Sequence, residues 1–335
     1  MSDSGSLFND DDLFGSSEPV VRETRQSEPE SAPYAARYSN SRIKPISLDG
    51  LNPMQREAAE HVNGPLLVVA GAGSGKTRVL THRIAHLISN HGVSPMNVLA
   101  ITFTNKAAGE MKHRVESLIG PVAKSMWVST FHSACVRILR VHAERIGYPK
   151  TFSIYDQADA QRLTGYVIRD MGLDVKRFTP RAVHAVISNW KNELVSPTQA
   201  AERAAHIFDR KHSEIYREYQ ERLLKAGAMD FDDLLVNVVR LFRMHTDVLA
   251  SYQDRFKYIL VDEYQDTNIA QNEIVLSLAA RHHNVCVVGD TDQSIYAFRG
   301  ADFRNIGQFE DAFDEVSVVV LEQNYRSTQN ILDAA

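Results

Sequence analysis

The chain has 335 residues, 44% of them hydrophobic and 24% charged, with a formal net charge of −5. That length leaves room for two or three domains with a sizeable core, and the composition is that of an ordinary globular chain. No window approaches a membrane-spanning apolar run, and the N-terminus, MSDSGSLFNDDD, is acidic where a secretion signal is basic and then apolar, so a cytoplasmic location away from membranes is expected.

Cys135 and Cys286 are the only two cysteines and fit no CxxC pattern, so neither a disulfide framework nor a zinc site is expected, and both read as buried small hydrophobes. His82 and His86 have i, i+4 spacing, but no HExxH surrounds them and they read as a helix face. Residues 1–42 carry eight acids against four bases, which is −4 and leaves about −1 for the rest. There is no general positive coat, so a nucleic acid would need a local groove.

Residues 1–46 are rich in Ser, Glu, Pro and Asp and read as a disordered leader, because they cannot bury enough apolar surface to offset their ordering entropy. Leu7–Phe8 and Leu13–Phe14, flanked by acids, could form a docking peptide for an unspecified partner, though a solvated leader is the simpler reading. Order begins at LDGLNPMQREAAEHV, where Asn52 suits a helix N-cap and Pro53 the first helical position. Leu66 to Ala70 is an apolar run bounded by Pro65 and Gly71, long enough for one buried strand. Gly71, Gly73 and Gly75 follow, and apolar residues recur at helical spacing from Thr77 to Ser89.

Strand, glycine loop and helix N-terminus in that order make VAGAGSGKT (Val69–Thr77) a phosphate cradle built from Ala70, Gly71, Ala72, Gly73, Ser74 and Gly75. Lys76 would reach the β- and γ-phosphates, and the Thr77 hydroxyl would ligate Mg²⁺. Ala70 stands where the strict pattern has glycine.

Further strands are expected at Asn97–Thr102, Trp127–Thr130, Lys257–Asp262, Asn284–Gly289 and Ser317–Leu321, and helices between them imply right-handed crossovers and a parallel sheet. From about Ser133 to Ala228 the pattern is helical almost throughout, an all-helical insertion in an α/β domain. Open parallel sheets place ligands at the carboxyl ends of their strands. Asp262 at such an end would hold the Mg²⁺ met by Thr77, and Glu263 would orient or deprotonate the attacking water. VVGDTDQSIYAFRG brings Asp290, Gln293, Tyr296, Phe298 and Arg299 to the same edge, where Gln293 could sense the γ-phosphate and Tyr296 and Phe298 could stack bases. In ITFTNKAAGEM, Phe103 follows a strand while Thr102, Thr104, Asn105 and Lys106 supply phosphate-binding groups, and STFHS offers Thr130 and His132 likewise.

AGAGSGKTR, ITFTNKAAGEM, STFHS, DFDDLL, LVDEYQDTN, VVGDTDQSIYAFRGAD and LEQNYRST, in this order, resemble the superfamily-one DNA helicases of the UvrD/PcrA/Rep type, from about residue 50 to the end. The resemblance implies an ATP-dependent 3′-to-5′ translocase and helicase on single-stranded DNA and duplex/single-strand junctions, acting in repair or replication. It also implies two RecA-like domains with ATP and Mg²⁺ between them. By position, Gln55 would contact the adenine, Arg78 and Tyr325 would border the base, and Gln293 and Arg326 would reach the γ-phosphate. Phe103, Thr130, His132, Tyr296, Phe298 and Arg299 fall where the family lines its DNA track, with Phe298 at a position usually held by tryptophan.

The organisation implied is a leader at 1–46, a RecA-like motor domain at 47–132 and 229–318, the helical insertion at 133–228 and the start of a second RecA-like domain at 319–335. The family's later motifs, its arginine finger among them, do not follow LEQNYRST, so the chain is expected to be an N-terminal fragment with little or no turnover of its own. The alternative from another class is a module that holds nucleotide and single-stranded DNA without hydrolysis. An unrelated phosphate-loop ATPase or nucleotide kinase is the further rival, and the aromatic pair Tyr296 and Phe298 argues against it.

Overall fold

The computed structural model describes residues 43–290 and 304–325. The frame is a six-stranded parallel sheet of β1 (Leu66–Ala70), β2 (Val98–Thr102), β3 (Trp127–Thr130), β6 (Tyr258–Val261), β7 (Val285–Gly289) and β8 (Ser317–Leu321), in the order β3-β2-β6-β7-β1-β8. Leu66 lies beside Cys286 on one side and Ser317 on the other, so β1 sits between β7 and β8. Helices cover both faces, which is why β2 and β7 are buried at every position and read as continuous apolar runs.

The helices start where local chemistry supplies a cap. Asn52 and Gln55 form a capping box for α1 (Pro53–Glu60), with Pro53 at the first position. The glycine loop leads straight into α2 (Lys76–Ser89), and Thr104 caps α3 (Asn105–Ile119). Ile46, the last residue of the expected leader, packs with Leu48, Leu51 and Ala59.

Between β3 and β6 the chain forms α4 (Phe131–His142), β4 (Ser153–Tyr155), α5 (Gln157–Asp170), α6 (Pro180–Asn192), α7 (Pro197–Arg203), α8 (Ile207–Lys225), β5 (Ala228–Asp230), α9 (Phe231–Met244) and α10 (Thr246–Arg255). The insertion is therefore not purely helical: β4 pairs in parallel with β5. Strands of three residues are too short to show an alternating pattern, so helical periodicity masks them.

Two apolar clusters divide this region. Ala160, Val167, Ile187, Tyr219 and Leu223 belong to one, which ends at Ala228. Phe131, Leu139, Met229 and Val238 belong to the sheet's own cluster, so α4 packs with the sheet although its residues from 133 onward fall in the expected insertion.

After β6, α11 (Ile269–Ala279) and α12 (Arg304–Asp311) flank β7, and β8 closes the edge. β8 pairs with β1 as far as Leu321, so the expected domain boundary at 318/319 falls inside a strand of the sheet. Cys135 and Cys286 are both buried and free. Among the described residues no helix is long and apolar enough to cross a membrane.

Candidate nucleotide site

All six strands run the same way, so their carboxyl ends share one edge, and the residues that follow them meet there. After β1, the loop turns at Gly73 with φ +73° and at Gly75 with φ +90°, backbone that L side chains rarely adopt. Gly75 is also crowded, because a Cβ there would lie 2.8 Å from the Gln55 amide nitrogen, whereas one on Gly71 would meet nothing within 4 Å. The Ser74 hydroxyl donates to the Gly71 carbonyl at 2.7 Å and tightens the turn.

Lys76 opens α2 and points its ammonium at two carboxylates, 3.3 Å from Asp290 and 3.7 Å from Glu263. Thr77 Oγ1 lies 3.5 Å from Asp262 Oδ2. Burial and the neighbouring Glu263 push the Asp262 carboxyl up to about 6, against the pull of Lys76 and Thr77. A buried carboxylate facing a hydroxyl at the foot of a phosphate cradle is a hard-oxygen donor set, which fits Mg²⁺ shared with substrate phosphates. The cradle itself fits a nucleoside triphosphate: Lys76 is a cation for the phosphates, and the loop is open at Gly71.

Glu263 takes a left-handed backbone, φ 52° and ψ 47°, and starts a 3₁₀ turn over Tyr264–Asp266. The residues beyond it are wired on all sides. Tyr264 Oη donates to Asn272 Oδ1, the Thr267 hydroxyl accepts from the Asn305 amide at 3.1 Å, and Asn268 donates to Asn192 of α6 at 2.6 Å. Gln265, 2% exposed, donates from Nε2 to Glu263 Oε2 at 2.8 Å and accepts from the Asp290 backbone N–H at 3.0 Å.

The residues expected around the base also converge. Gln55 donates to the Ser74 carbonyl at 2.8 Å and accepts from the Asn52 N–H at 3.2 Å, so both ends of its amide serve the loop and its helix cap. Arg78 is held by the Gly50 carbonyl at 2.8 Å. Tyr325 donates its backbone N–H to the Gly73 carbonyl at 2.9 Å, accepts at its hydroxyl from Asn52 at 2.7 Å and remains 55% exposed. Asn324 donates to the Ala72 carbonyl at 2.8 Å.

The expected DNA-facing residues are less uniform. Phe103 follows β2 and is half-buried. Thr130 is 3% exposed, and its hydroxyl accepts from the Ser133 N–H as the N-cap of α4. Thr102 is 1% exposed, and Thr104 caps α3, which leaves Lys106 as the exposed cation of that motif. The His132 ring packs edge-on to Phe231 at 6.0 Å, and burial pulls its pKa down to about 4, so it is neutral at physiological pH and offers a phosphate no charge. Gln293, Tyr296, Phe298, Arg299 and Arg326 lie outside the described residues.

Two functional candidates carry no assigned role in the motif reading. Asp290 stands closest to Lys76, and Gln265 joins Glu263 to Asp290. Asp290 was legible as a residue at a strand end, but its pairing was not; Gln265 had no signal beyond sitting inside LVDEYQDTN. A cavity of about 470 Å³ lies elsewhere, lined by His61, Asn63, Gly64, His283, Asp314 and Glu315 among others, and holds none of these residues. Among the described residues no group of three or more His, Cys, Asp or Glu could by itself hold a metal ion.

A parallel sheet with a glycine loop after β1 and a carboxylate pair after β6 defines the class of phosphate-loop nucleotide-binding proteins. Residues 51–314 match the UvrD/REP helicase N-terminal domain, and the chain belongs to that family. It is 54% identical over 288 residues to the ATP-dependent DNA helicase PcrA of Bacillus subtilis, a match covering 86% of this chain and 39% of that protein. It is likewise 54% identical over 299 residues to the ATP-dependent DNA helicase UvrD1 of Mycobacterium tuberculosis, again across 39% of the relative, and 52% identical to PcrA of Staphylococcus aureus. The chain thus spans about two fifths of the length of these relatives.

Proposed function

We propose that this chain carries the ATP-handling motor domain of a DNA helicase that translocates 3′ to 5′ along single-stranded DNA and opens duplex/single-strand junctions in repair or replication. The names of its relatives as ATP-dependent DNA helicases support this reading. The observation that carries it is the facing of Lys76 and Thr77 on the phosphate loop by Glu263, Asp290 and Asp262. In the proposed organisation the motor domain is interrupted by a mainly helical insertion, and a second RecA-like domain begins beyond β8.

Lys76 gives up its hold on Asp290 and Glu263 to neutralise the β- and γ-phosphates, which frees Glu263 to orient the attacking water and accept its proton. Thr77 and Asp262 would hold Mg²⁺, which supplies charge stabilisation at the phosphates. Gln55, Arg78 and Tyr325 border the base, and Gln293 and Arg326 reach the γ-phosphate. Phe103, Tyr296, Phe298 and Arg299 line the path of the strand, with His132 beside it as a neutral ring.

The test is ATP hydrolysis by the 335-residue chain with and without single-stranded DNA, beside Lys76→Ala and Glu263→Gln. Any DNA-stimulated rate, low as it is expected to be in this chain, should fall about 10²-fold or more in either variant. Unchanged turnover in either would refute the site. Binding of nucleotide and single strand with no turnover in the parent chain would establish the module reading instead.

A further inference from the structure

We infer that Gln265 is a positioning residue for Glu263 and the physical link between that carboxylate and the end of β7. The inference rests on the proposed ATPase reading, in which Glu263 works on the attacking water. The orientation of the Gln265 amide is dictated by its partners: a carboxylate only accepts and a backbone N–H only donates, so Nε2 must face Glu263 and Oε1 must face Asp290. At 2% exposure the side chain has no water to replace either partner, and losing one leaves a buried polar atom unmet.

The surroundings are shaped for this amide. Gly289, the last residue of β7, approaches so closely that a Cβ there would lie 3.2 Å from Gln265 Oε1 and 3.5 Å from its backbone nitrogen. The close fit explains a glycine at a strand end without any unusual backbone angle. Tyr264 and Thr267 on either side are tied to Asn272 and Asn305, so the backbone under Gln265 cannot follow a displaced side chain.

The consequence is a two-way connection. Asp290, whose N–H Gln265 accepts, also pairs with Lys76, and it leads into the stretch from which γ-phosphate and DNA contacts are expected. A displacement at the β7 end would reach the Glu263 carboxylate through this one amide, which is held at both of its ends.

Two measurements decide this. In the first, single-turnover hydrolysis and affinity for a fluorescent ATP analogue are compared in the 335-residue chain and in Gln265→Met, Glu263→Gln and the double variant. Gln265→Met is expected to lose about 10- to 100-fold in hydrolysis with nucleotide affinity within about twofold, and the double variant to be no slower than Glu263→Gln alone. Additive losses, or a loss of affinity and thermal midpoint in step with hydrolysis, would overturn the inference. If Glu263→Gln leaves hydrolysis unchanged, the ATPase reading fails and the link is judged by the second measurement alone.

The second needs no turnover. With selective ¹⁵N-aspartate labelling, Glu263→Gln should move the Asp290 amide resonance in the otherwise native chain but not in the Gln265→Met or Gly289→Ala background. An equal movement in all three backgrounds would show that Gln265 is not the link.

Discussion

At the scale of the residue, two glycines of the phosphate loop are required for different reasons, and substitution separates them. Gly75 combines φ +90° with a 2.8 Å approach to Gln55, so Gly75→Ala is expected to cost about 1 to 3 kcal/mol of stability, read by chemical denaturation. Gly71 has open space around its missing Cβ, so Gly71→Ala should fold with unchanged stability and still lose nucleotide affinity, because the space it fills is where phosphate approaches. Asp262 shows the opposite trade. Folding raises its pKa from the ordinary 3.8 to about 6, so the ionised form costs native stability above that range, and Asp262→Asn should raise the metal-free thermal midpoint at pH 7.5 while abolishing hydrolysis. Lys76, Thr77, Asp262 and Glu263 were legible in sequence because their spacing follows the geometry of a phosphate site. Gln265 was not, since its role depends on Asp290, 25 positions away, and on the missing Cβ of Gly289.

At the scale of the element, one buried ion network ties the insertion to the motor. Lys191 of α6, 1% exposed, lies 2.7 Å from Asp230 and 2.8 Å from Asp233, and Tyr219 of α8 donates to Asp230 at 2.8 Å. Asp230 and Asp233 are also the reciprocal capping pair of α9, so the same carboxylates start a helix of the sheet's cluster and anchor two helices of the insertion. Lys191→Met would leave both buried carboxylates without their cation and is expected to cost about 3 to 5 kcal/mol, measured as a fall in the denaturation midpoint.

Asp230 and Asp233 pair with this ammonium, whereas Asp232 makes no ion pair with it and is pushed up from 3.8 to about 7 by burial and by Asp230. A carboxyl whose pKa is raised by folding stabilises the native state while protonated, and that contribution fades as pH rises from about 4 through about 7. Stability should therefore decline between about pH 4 and pH 7, and Asp232→Asn should flatten the decline. DFDDLL was visible as a motif, but its local mix of acidic and apolar residues could not show that Lys191 would close on it from another helix.

At the scale of the molecule, strand order decides function. The chain runs from β1 across to β2 and β3, returns through β6 and β7 and steps over β1 to β8, which sets the glycine loop directly beside Asp290 and one strand away from Asp262 and Glu263. The phosphate loop follows β1, and Phe103, one of the residues expected to face DNA, follows β2 of the same parallel sheet, so coupling between the two ligands is expected. Single-stranded DNA should raise the affinity for a non-hydrolysable ATP analogue about 5-fold or more, with the reciprocal effect equal in size, and independent binding would refute such coupling. The amino-acid sequence by itself determined the α/β class, the six strands of the main sheet and the order of strand, glycine loop and helix, because apolar periodicity, caps and glycine spacing act over a few neighbouring residues. Only the tertiary structure decided the strand order, the β4–β5 pair, the capping role of Thr130, the neutral state of His132 and the Gln265 bridge. Each of those depends on burial and on partners brought together from distant parts of the chain, which no local pattern encodes.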